Sequence, residues 1–455
     1  MRALFTLVMG LSLALTSYSQ EIVGDWIGTV NFQGKKINFA FHITEENTAI
    51  TTTMDIPSQG LMAGKAGTTT FNNDTLVATF PDFNIVYKGA FKDDSFTGDI
   101  IQNNFPVTLN LERGVITLNR PQQPKAPFNY TAKELVVKNK EDDIELAGTL
   151  TLPNGIENPP VAIIISGSGP QNRDGDMFGH QLYYVLADYL TTQGIAVFRY
   201  DERGVGASTG TFNTAGIAEF TRDATAALDY LKKRSYLKES KFGYIGHSIG
   251  GIIAPQIAAT NDDVDFTVML AGPGVDGDQL MLSQKAALER LLNVPEAQIK
   301  QGLEIVGLAY EIIVNAPENH KDLKNEVNAA LLNKLGSNVP AQQVESITNQ
   351  ITTPEIVSLL RTKPSTYLNK IKTPILAMNG KKDFQVPYEE NLEAIKQAFT
   401  AGNNENTRTV AFDDLNHLFQ ESTTGALSEY SEIEQTMAPK ALALIAKWIK
   451  KETLR

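Results

Sequence analysis

The sequence predicts an α/β fold in which a doubly wound, mostly parallel β-sheet follows a smaller all-β domain. From residue 161 onward, short apolar runs alternate with segments in which apolar residues recur at helical spacing, which is typical of strand–helix units in a parallel sheet. Residues 37–43 and 107–111 instead alternate between apolar and polar side chains, as strands with one buried face do. Three prolines within residues 120–127 separate the two patterns and favour a linker, because proline disrupts helices and central strands.

The composition is that of a globular protein. The chain has 455 residues, of which 42% are hydrophobic and 20% charged, and this length suggests two or three domains. The formal net charge is −12, and the Lys and Arg residues form no stripe, so the charge pattern argues against a nucleic-acid partner. Because the chain contains no cysteine, disulfides, thiolate metal sites and a cysteine nucleophile are excluded.

The first twenty residues have the pattern of a secretory signal peptide. Arg2 precedes a largely apolar stretch at residues 4–15, and small residues at 17 and 19 predict cleavage near Ser19 or Gln20. The apolar stretch is shorter than the roughly 20 residues that a membrane-spanning helix needs. We therefore expect a protein that is exported to a periplasm or out of the cell and that has no membrane span after cleavage. The oligomeric state does not follow from the sequence.

We expect the all-β domain to occupy residues 21–120 and to form a small barrel or sandwich of roughly eight short strands. A linker at 121–130 then leads to the α/β domain, residues 131–455. Within that domain, residues 276–368 carry helical runs and no convincing strand, which predicts a helical cap that lies over the strand ends and shapes a pocket. The strands expected in the sheet are a hairpin at 134–137 and 144–152, followed by 161–165, 195–200, 242–245, 266–271, 374–378 and 409–412.

The GHSIGG motif at residues 246–251 lies between a predicted strand and a predicted helix. A serine on such a sharp turn presents its hydroxyl, and flanking glycines allow strand and helix to pack closely. The motif predicts that Ser248 is a nucleophile and that the Ile249 amide helps to bind an oxyanion. The alternative is a glycine-rich turn before a helix, with no chemical role.

A serine nucleophile needs a base, and the base needs an acid to orient it. Of the five histidines, only His417 follows the last predicted strand of the sheet, where this arrangement delivers its base. Asp383 follows a predicted strand and lies between Ser248 and His417 in chain order, so we expect it to be the acid. Asp413 and Asp414 are alternatives, but they lie too close to His417 in sequence to reach the far side of its ring easily.

The SGSGP segment at residues 166–170 follows the strand at 161–165 and offers backbone amides to the same site. We expect the Ser168 amide to be the second oxyanion donor, with the Gly169 amide as the alternative. A phosphate cradle is the rival interpretation, but no G-K-[ST] follows and Pro170 lacks an N–H group.

The DERGVGAS segment at residues 201–208 also follows a predicted strand. It lacks the full GxGxxG of a dinucleotide site, so we interpret it as a salt-bridged structural turn. We expect no cofactor and no metal, because the sequence has neither an HxxxH pattern on a helix nor a dense carboxylate loop.

Taken together, these motifs resemble the secreted α/β-hydrolases of the EstD-like esterase and serine-aminopeptidase S33-type group. The resemblance rests on SGSGPQNRDG, DERGVGAS, GHSIGG, Asp383 and His417, and it extends over nearly all of the chain after residue 20. It implies an α/β-hydrolase fold, a triad of Ser248, Asp383 and His417, and hydrolysis of carboxylic esters. Many members of the group carry an acidic residue where this chain has Ile249.

The sequence therefore predicts an exported serine esterase that acts on small-molecule esters with small to medium acyl chains. A peptidase or aminopeptidase with the same triad is the first alternative, and it would need an acidic anchor for a free amino terminus. A binding protein on an inactive hydrolase scaffold is the second alternative. All three triad positions are occupied in this chain, which argues against that second alternative.

Overall fold

A computed structural model provides the structure of the protein and divides it into two compact units. The first unit comprises residues up to 119 with segments 177–179 and 427–434, and the second comprises the rest. The predicted signal peptide, residues 1–20, lies outside the described residues, and the predicted domain limits stay a prediction. The residues that the structure describes are 21–32, 35–46, 49–102, 105–336 and 339–453.

In its described residues, the first unit contains one antiparallel sheet of ten strands. The strands are β1 (Gly24–Phe32), β2 (Lys35–Glu46), β3 (Ala49–Ile56), β4 (Leu61–Lys65), β5 (Thr68–Asn72), β6 (Thr75–Phe80), β7 (Ile85–Lys92), β8 (Ser95–Gln102), β9 (Phe105–Thr108) and β10 (Leu111–Arg113). Their order is β4-β3-β2-β1-β10-β8-β7-β6-β5, and β9 pairs with β8. The sheet curls so that β3 and β5 contact each other, and it forms a half-barrel. The strand count is thus higher than the predicted eight, and the sandwich alternative is excluded for this unit.

The core of this unit lies on the concave side of the sheet. In β2, Phe39, Phe41 and Ile43 are buried, as their alternation with polar residues predicts. Trp26 packs edge-on against Phe96, with ring centroids 4.7 Å apart, and is fully buried. The aromatic contacts therefore stabilise the half-barrel where β1 and β8 flank β10.

The second unit contains an eight-stranded sheet with the strand order of a doubly wound fold. Its strands are β11 (Tyr130–Asn139), β12 (Ile144–Pro153), β13 (Val161–Ile165), β16 (Ala196–Tyr200), β17 (Phe242–His247), β18 (Phe266–Leu270), β19 (Ile375–Gly380) and β20 (Thr407–Phe412); two-residue strands β14 (Asp176–Met177) and β15 (His180–Gln181) lie outside this sheet. The order is β11-β12-β16-β13-β17-β18-β19-β20. Six neighbouring strands are parallel, namely β16, β13, β17, β18, β19 and β20. The β11–β12 hairpin joins them at one edge, where β12 is antiparallel to β16. This is the predicted α/β-hydrolase sheet, and every predicted strand from residue 161 onward ends within two residues of its observed limits.

Helices cover both faces of this sheet. The helices of the second unit are α1 (Leu182–Thr192), α2 (Ile217–Lys232), α3 (Gly250–Ala258), α4 (Gly277–Leu291), α5 (Glu296–Asn315), α6 (Leu323–Leu335), α7 (Ala341–Ile351), α8 (Pro354–Leu360), α9 (Ser365–Leu368), α10 (Tyr388–Ala401) and α12 (Pro439–Thr453), and α11 (Leu427–Tyr430) belongs to the first unit. Helices α1 and α12 contact each other, whereas α2, α3, α9 and α10 form a second connected layer through α2–α3, α3–α9 and α9–α10 contacts.

The insertion between β18 and β19 is helical throughout its regular structure, as the sequence predicts. Helices α4 to α8 share a small apolar core of their own, to which Tyr310, Leu331 and Val344 contribute buried side chains. Because this core is separate from the one around the sheet, the insertion is a cap rather than a long loop.

Candidate functional site

The turn between β17 and α3 has the geometry of a nucleophile elbow. Ser248 adopts a φ of +54°, in the left-handed region that non-glycine residues rarely occupy. Such a conformation costs about 1–3 kcal/mol and persists only when the surrounding structure imposes it. Ser248 is also partly exposed, whereas its neighbours on either side are buried. The strained turn therefore presents the serine hydroxyl at the end of the sheet.

Two glycines allow this turn to form. A Cβ at Gly246 would lie 2.0 Å from the carbonyl oxygen of Gly250, and a Cβ at Gly250 would lie 2.3 Å from the carbonyl oxygen of Ile165. Both distances are far below van der Waals contact, so β17, α3 and β13 can approach this closely only without side chains at these positions.

Asp383 and His417 meet beyond the carboxyl ends of β19 and β20. The His417 Nδ1–H donates to Asp383 Oδ2 at 2.8 Å, and both side chains are almost fully buried. The other oxygen, Oδ1, accepts from the amides of Gln385 at 2.8 Å and Val386 at 2.9 Å. Because these bonds fix the carboxylate and the Nδ1 proton, Nε2 of His417 is left as the acceptor of the neutral ring.

Asn416 shapes the loop that carries His417. Its Oδ1 accepts from the amides of Leu418 and Gln420, each at 3.0 Å, and its Nδ2 donates to Gln420 Oε1 at 2.9 Å. The Asn416 side chain is fully buried. These bonds turn the chain tightly on either side of His417 and so determine where its imidazole lies.

Ser248, the third predicted triad member, lies near His417 in the fold but is not hydrogen-bonded to it. Across the described residues, the structure records no hydrogen bond between the Ser248 hydroxyl and His417. The preceding residue, His247, contacts His417 directly, with ring centroids 4.8 Å apart. The structure thus joins Asp383 and His417 and places Ser248 one residue from a contact with the base.

The loop after β13 approaches the elbow serine. A Cβ at Gly167 would lie 3.2 Å from the Cβ of Ser248. Among the loop amides, that of Gly167 donates to the Tyr183 hydroxyl at 2.9 Å, that of Gly169 to Glu355 Oε1 at 3.0 Å, and that of Gln171 to Glu202 Oε2 at 2.8 Å, while Pro170 has no N–H group. Within the described part of the chain, the amides of Ser168 and Ile249 have no acceptor. Those two amides are the pair that the sequence predicts as oxyanion donors.

Glu202 lies behind this loop. Its Oε1 accepts from the Ser166 hydroxyl at 2.6 Å and its Oε2 from the Gln171 amide, so one carboxyl group holds both ends of residues 166–171. Burial raises the pKa of Glu202 to about 8, although its two hydrogen bonds act in the opposite direction. Glu202 is therefore a buried carboxyl whose charge changes within the ordinary working range of pH.

The rest of the 201–208 segment forms the predicted salt-bridged turn. Arg203 donates to Asp223 Oδ2 at 2.7 Å and to Asp142 Oδ2 at 2.6 Å, and Asp201 pairs with Arg173 at 2.8 Å. Both arginines lie largely inside the protein, so these pairs keep their charges compensated there.

Glu355 brings an uncompensated acidic group from cap helix α8 to the same loop. Its carboxylate accepts from the Gly169 amide, one residue from Ser168. Burial raises its pKa, and none of the Lys, Arg or His residues in the described ranges pairs with it. From the sequence, an acidic anchor is only something that the peptidase alternative would need, and no pattern in the sequence identifies this residue.

Three other residues of the site were not predicted from the sequence. Tyr183 has no local motif, since its partners come from distant segments. Asn416 bonds to residues in its own loop, which carries no recognised motif. His247 stands inside the GHSIGG motif, but its burial and its contact with His417 follow from the fold and are not marked by the motif. Across the described ranges, no group of three or more His, Asp or Glu side chains could hold a metal ion, and no helix is long and apolar enough to span a bilayer.

The sheet order and the elbow turn are those of an α/β-hydrolase fold, and the paired Asp383 and His417 lie beyond the carboxyl ends of its strands. The chain belongs to the Hydrolase_4 family, described as serine aminopeptidase, S33, whose model matches residues 179–421, more than half of the chain.

Individual relatives include esterases. Esterase EstD of Thermotoga maritima is 25% identical over 294 residues, which make up 64% of this chain and 61% of EstD, so this chain spans less than two thirds of that relative's length. The solved structure of the Pyrococcus furiosus esterase Pf2001 matches with a TM-score of 0.44 and 16% identity, over 75% of this chain and all of its own. Est1E of Butyrivibrio proteoclasticus, solved with ferulic acid, matches with a TM-score of 0.41 and 17% identity, over 70% of this chain and 96% of its own.

Proposed function

We propose that this protein is a serine hydrolase that cleaves carboxylic esters with small to medium acyl chains. The observation that carries the proposal is the buried hydrogen bond between His417 Nδ1–H and Asp383 Oδ2 beside a strained, partly exposed Ser248. A base oriented by a carboxylate next to an elbow serine is the arrangement that activates a hydroxyl for attack on an acyl group.

The reaction follows from these roles. Ser248 attacks the ester carbonyl while Nε2 of His417 takes the hydroxyl proton, and Asp383 stabilises the resulting imidazolium. The amides of Ile249 and Ser168 donate to the oxyanion of the tetrahedral intermediate. The alcohol leaves with the proton from His417, and an acyl-enzyme remains on Ser248. A water molecule activated by His417 then releases the acid and restores the serine.

The assignment of Ser168 is supported by elimination. The amides of Gly167, Gly169 and Gln171 already donate to protein acceptors. An amide that is already bonded cannot serve a developing oxyanion without losing its partner, so Ser168 is the donor that the loop leaves available. This elimination also disfavours Gly169, which was the alternative.

The preference for small or medium acyl chains is supported by the cap. Residues 166–171, which include the proposed donor Ser168, form the oxyanion loop. Helix α8 reaches this loop through the bond between Glu355 and the Gly169 amide, at 3.0 Å. A cap bonded to the residue next to the proposed oxyanion donor restricts the space beside that donor, which favours small or medium acyl substrates over polymers.

The proposal is tested by comparing hydrolysis of p-nitrophenyl acetate, butyrate and octanoate with that of alanine p-nitroanilide. We expect the two shorter esters to be cleaved fastest and Ser248→Ala to lower kcat by roughly 10⁴-fold to 10⁶-fold. Equal rates in the wild type and Ser248→Ala would refute the proposal, and faster cleavage of the anilide than of every ester would transfer the protein to the peptidases.

A peptidase that acts at a free amino terminus is the second candidate, and Glu355 is the observation that favours it. An uncompensated carboxylate beside the oxyanion loop attracts a cationic group on a substrate. If this candidate holds, Glu355→Gln raises KM for alanine p-nitroanilide and leaves KM for neutral esters nearly unchanged. Glu345→Gln, at an exposed position on α7 of the same cap, serves as the matched control. Equal effects of the two variants on the anilide would remove the support for this candidate.

We also propose that the protein is exported, on the strength of the residue pattern before position 20. Produced with its own N-terminus in a Gram-negative host, the protein is expected in the periplasmic fraction and to begin at Gln20 or Glu21. Recovery of the full-length chain from the cytoplasm would contradict export.

A further inference from the structure

We propose that Tyr183 and His247 are positioning residues that link the oxyanion loop to the general base through one directed chain of hydrogen bonds. The chain runs from the Gly167 amide through the Tyr183 hydroxyl and the His247 imidazole to the His417 carbonyl. This inference deepens the proposed function and rests on it, because it concerns how the loop and the base of the same site are held in register.

Each link is short enough to be a hydrogen bond, and every member is buried. The Gly167 amide lies 2.9 Å from the Tyr183 hydroxyl, which lies 3.2 Å from His247 Nδ1; His247 Nε2 lies 3.0 Å from the carbonyl oxygen of His417. The side chains of Tyr183 and His247 are each 2% exposed. Because water cannot replace these bonds, breaking one leaves a buried polar group without a partner.

The chemistry of the two ends fixes the direction of the chain. An amide N–H can only donate, so the Tyr183 oxygen accepts from Gly167 and its own proton is free to go to His247. A carbonyl oxygen can only accept, so His247 Nε2 carries a proton and donates it to His417. The neutral imidazole then has an unprotonated Nδ1, which accepts from the Tyr183 hydroxyl. Every donor therefore meets an acceptor, and only one tautomer of His247 satisfies the chain.

The surroundings of His247 keep it neutral. Burial, and next the neighbouring His417, lower the pKa of His247 to about 3. A second proton on this ring would point an N–H group at the Tyr183 oxygen and would place a cation beside the base. His417 can therefore gain and lose a proton during the reaction without competition from the adjacent ring.

The position of the chain explains what it can control. Gly167 directly precedes Ser168, which supplies an oxyanion amide in the proposed mechanism. At the other end, Asp383 holds the His417 ring at Nδ1 while His247 holds the His417 backbone. His247 thus connects the loop after β13 with the loop after β20, and these two loops lie on either side of Ser248. A misplacement of reacting groups by about 1 Å can cost on the order of a hundredfold in rate.

Two amide substitutions separate the two links at His247. The amide nitrogen of glutamine reaches the position of Nε2, so His247→Gln keeps a donor for the His417 carbonyl and loses the acceptor for Tyr183. The amide oxygen of asparagine reaches the position of Nδ1, so His247→Asn keeps that acceptor and loses the donor. If the link to the base governs the rate, His247→Asn lowers kcat for p-nitrophenyl butyrate by about tenfold at nearly constant KM, and His247→Gln recovers part of that loss.

Tyr183→Phe tests the other half of the chain. It removes the hydroxyl that joins the Gly167 amide to His247, and we expect it to lower kcat severalfold at nearly constant KM. Tyr244→Phe is the matched control, because Tyr244 is equally buried and its hydroxyl donates to the backbone carbonyl of Ala224 at 3.0 Å, outside the chain. The control is expected to lose some thermal stability but no kcat.

A double-mutant cycle decides whether these residues act as one unit. We expect Tyr183→Phe to have a much smaller effect on kcat in the His247→Asn background than in the wild type. The inference would be overturned if the effects of the two substitutions on kcat were fully additive. It would also be overturned if His247→Gln and His247→Asn had equal kcat and their losses followed only the melting temperature. Fluorophosphonate labelling of Ser248 in the wild type separates this failure from that of the proposed function: a labelled Ser248 with an additive cycle overturns only the hydrogen-bond chain.

Discussion

At the scale of single residues, the proposed chemistry depends on backbone amides as much as on side chains. In the proposed mechanism Ser168 contributes its N–H group, and its own side chain is exposed. The donor is available because the protein occupies the neighbouring amides, an arrangement that only the three-dimensional structure reveals.

We predict that Ser168→Pro loses far more activity than Ser168→Ala, because proline removes the amide proton and alanine keeps it. Loss of one oxyanion donor lowers kcat by about 10²-fold to 10³-fold. The measurement is kcat for p-nitrophenyl butyrate, with fluorescence melting to confirm that both variants fold. Equal activities in two folded variants would exclude the Ser168 amide as a donor.

The sequence predicted Ser248, Asp383 and His417 because each stands at a recognisable place after a strand. The roles of Tyr183 and Glu202 could not be predicted in the same way. Their partners lie in segments that meet only after folding, so no spacing along the chain marks them. Glu202 lies within a motif that was interpreted as structural, and the structure adds that this carboxyl holds the oxyanion loop.

At the scale of elements, the elbow depends on close contact between β13, β17 and α3. The predicted strands agreed with the structure because parallel strands are buried on both faces and appear as continuous apolar runs. Helices α7 and α8 of the cap, and α9 in the layer on the sheet, were not predicted individually. Helix α7 (Ala341–Ile351) is largely polar, so few apolar residues mark it, and α8 (Pro354–Leu360) and α9 (Ser365–Leu368) are too short to show several turns of helical periodicity.

Gly250→Ala is predicted to disrupt the elbow, since the new Cβ would lie 2.3 Å from the carbonyl oxygen of Ile165. Gly307→Ala on α5 is the control, because its Cβ would meet only a side-chain carbon of Leu282 at 3.9 Å. The control should stabilise its helix by up to about 1 kcal/mol, whereas Gly250→Ala should lower both the melting temperature and kcat. A Gly250→Ala protein as stable and active as the control would show that this close approach is not required.

At the scale of the whole molecule, stability should depend on pH through a buried acid. The folded-state pKa of Glu202 is about 8, compared with 4.5 for the ordinary carboxyl. Between these values the folded protein binds one proton more than the unfolded chain. The stabilisation is therefore complete below pH 4.5 and is lost as pH rises through about 8.

The prediction concerns the difference in melting temperature between the wild type and Glu202→Gln, because glutamine does not titrate. As pH rises from 5 to 8.5, the melting temperature of the wild type should fall relative to that of Glu202→Gln. A constant offset caused by the substitution does not affect this trend. Thermal unfolding at several pH values measures it. A difference that stays constant, or that shifts in favour of the wild type, would mean that Glu202 is not protonated in the folded state at neutral pH.

The most direct measurement for the whole account is to map the residue that a fluorophosphonate probe modifies, by mass spectrometry of the digested protein. The account predicts one adduct per chain, on Ser248, and its loss in His417→Gln, because the probe requires an activated serine. An unlabelled protein, or an adduct on any other residue, would contradict the central claim that Ser248 is the nucleophile and His417 its base.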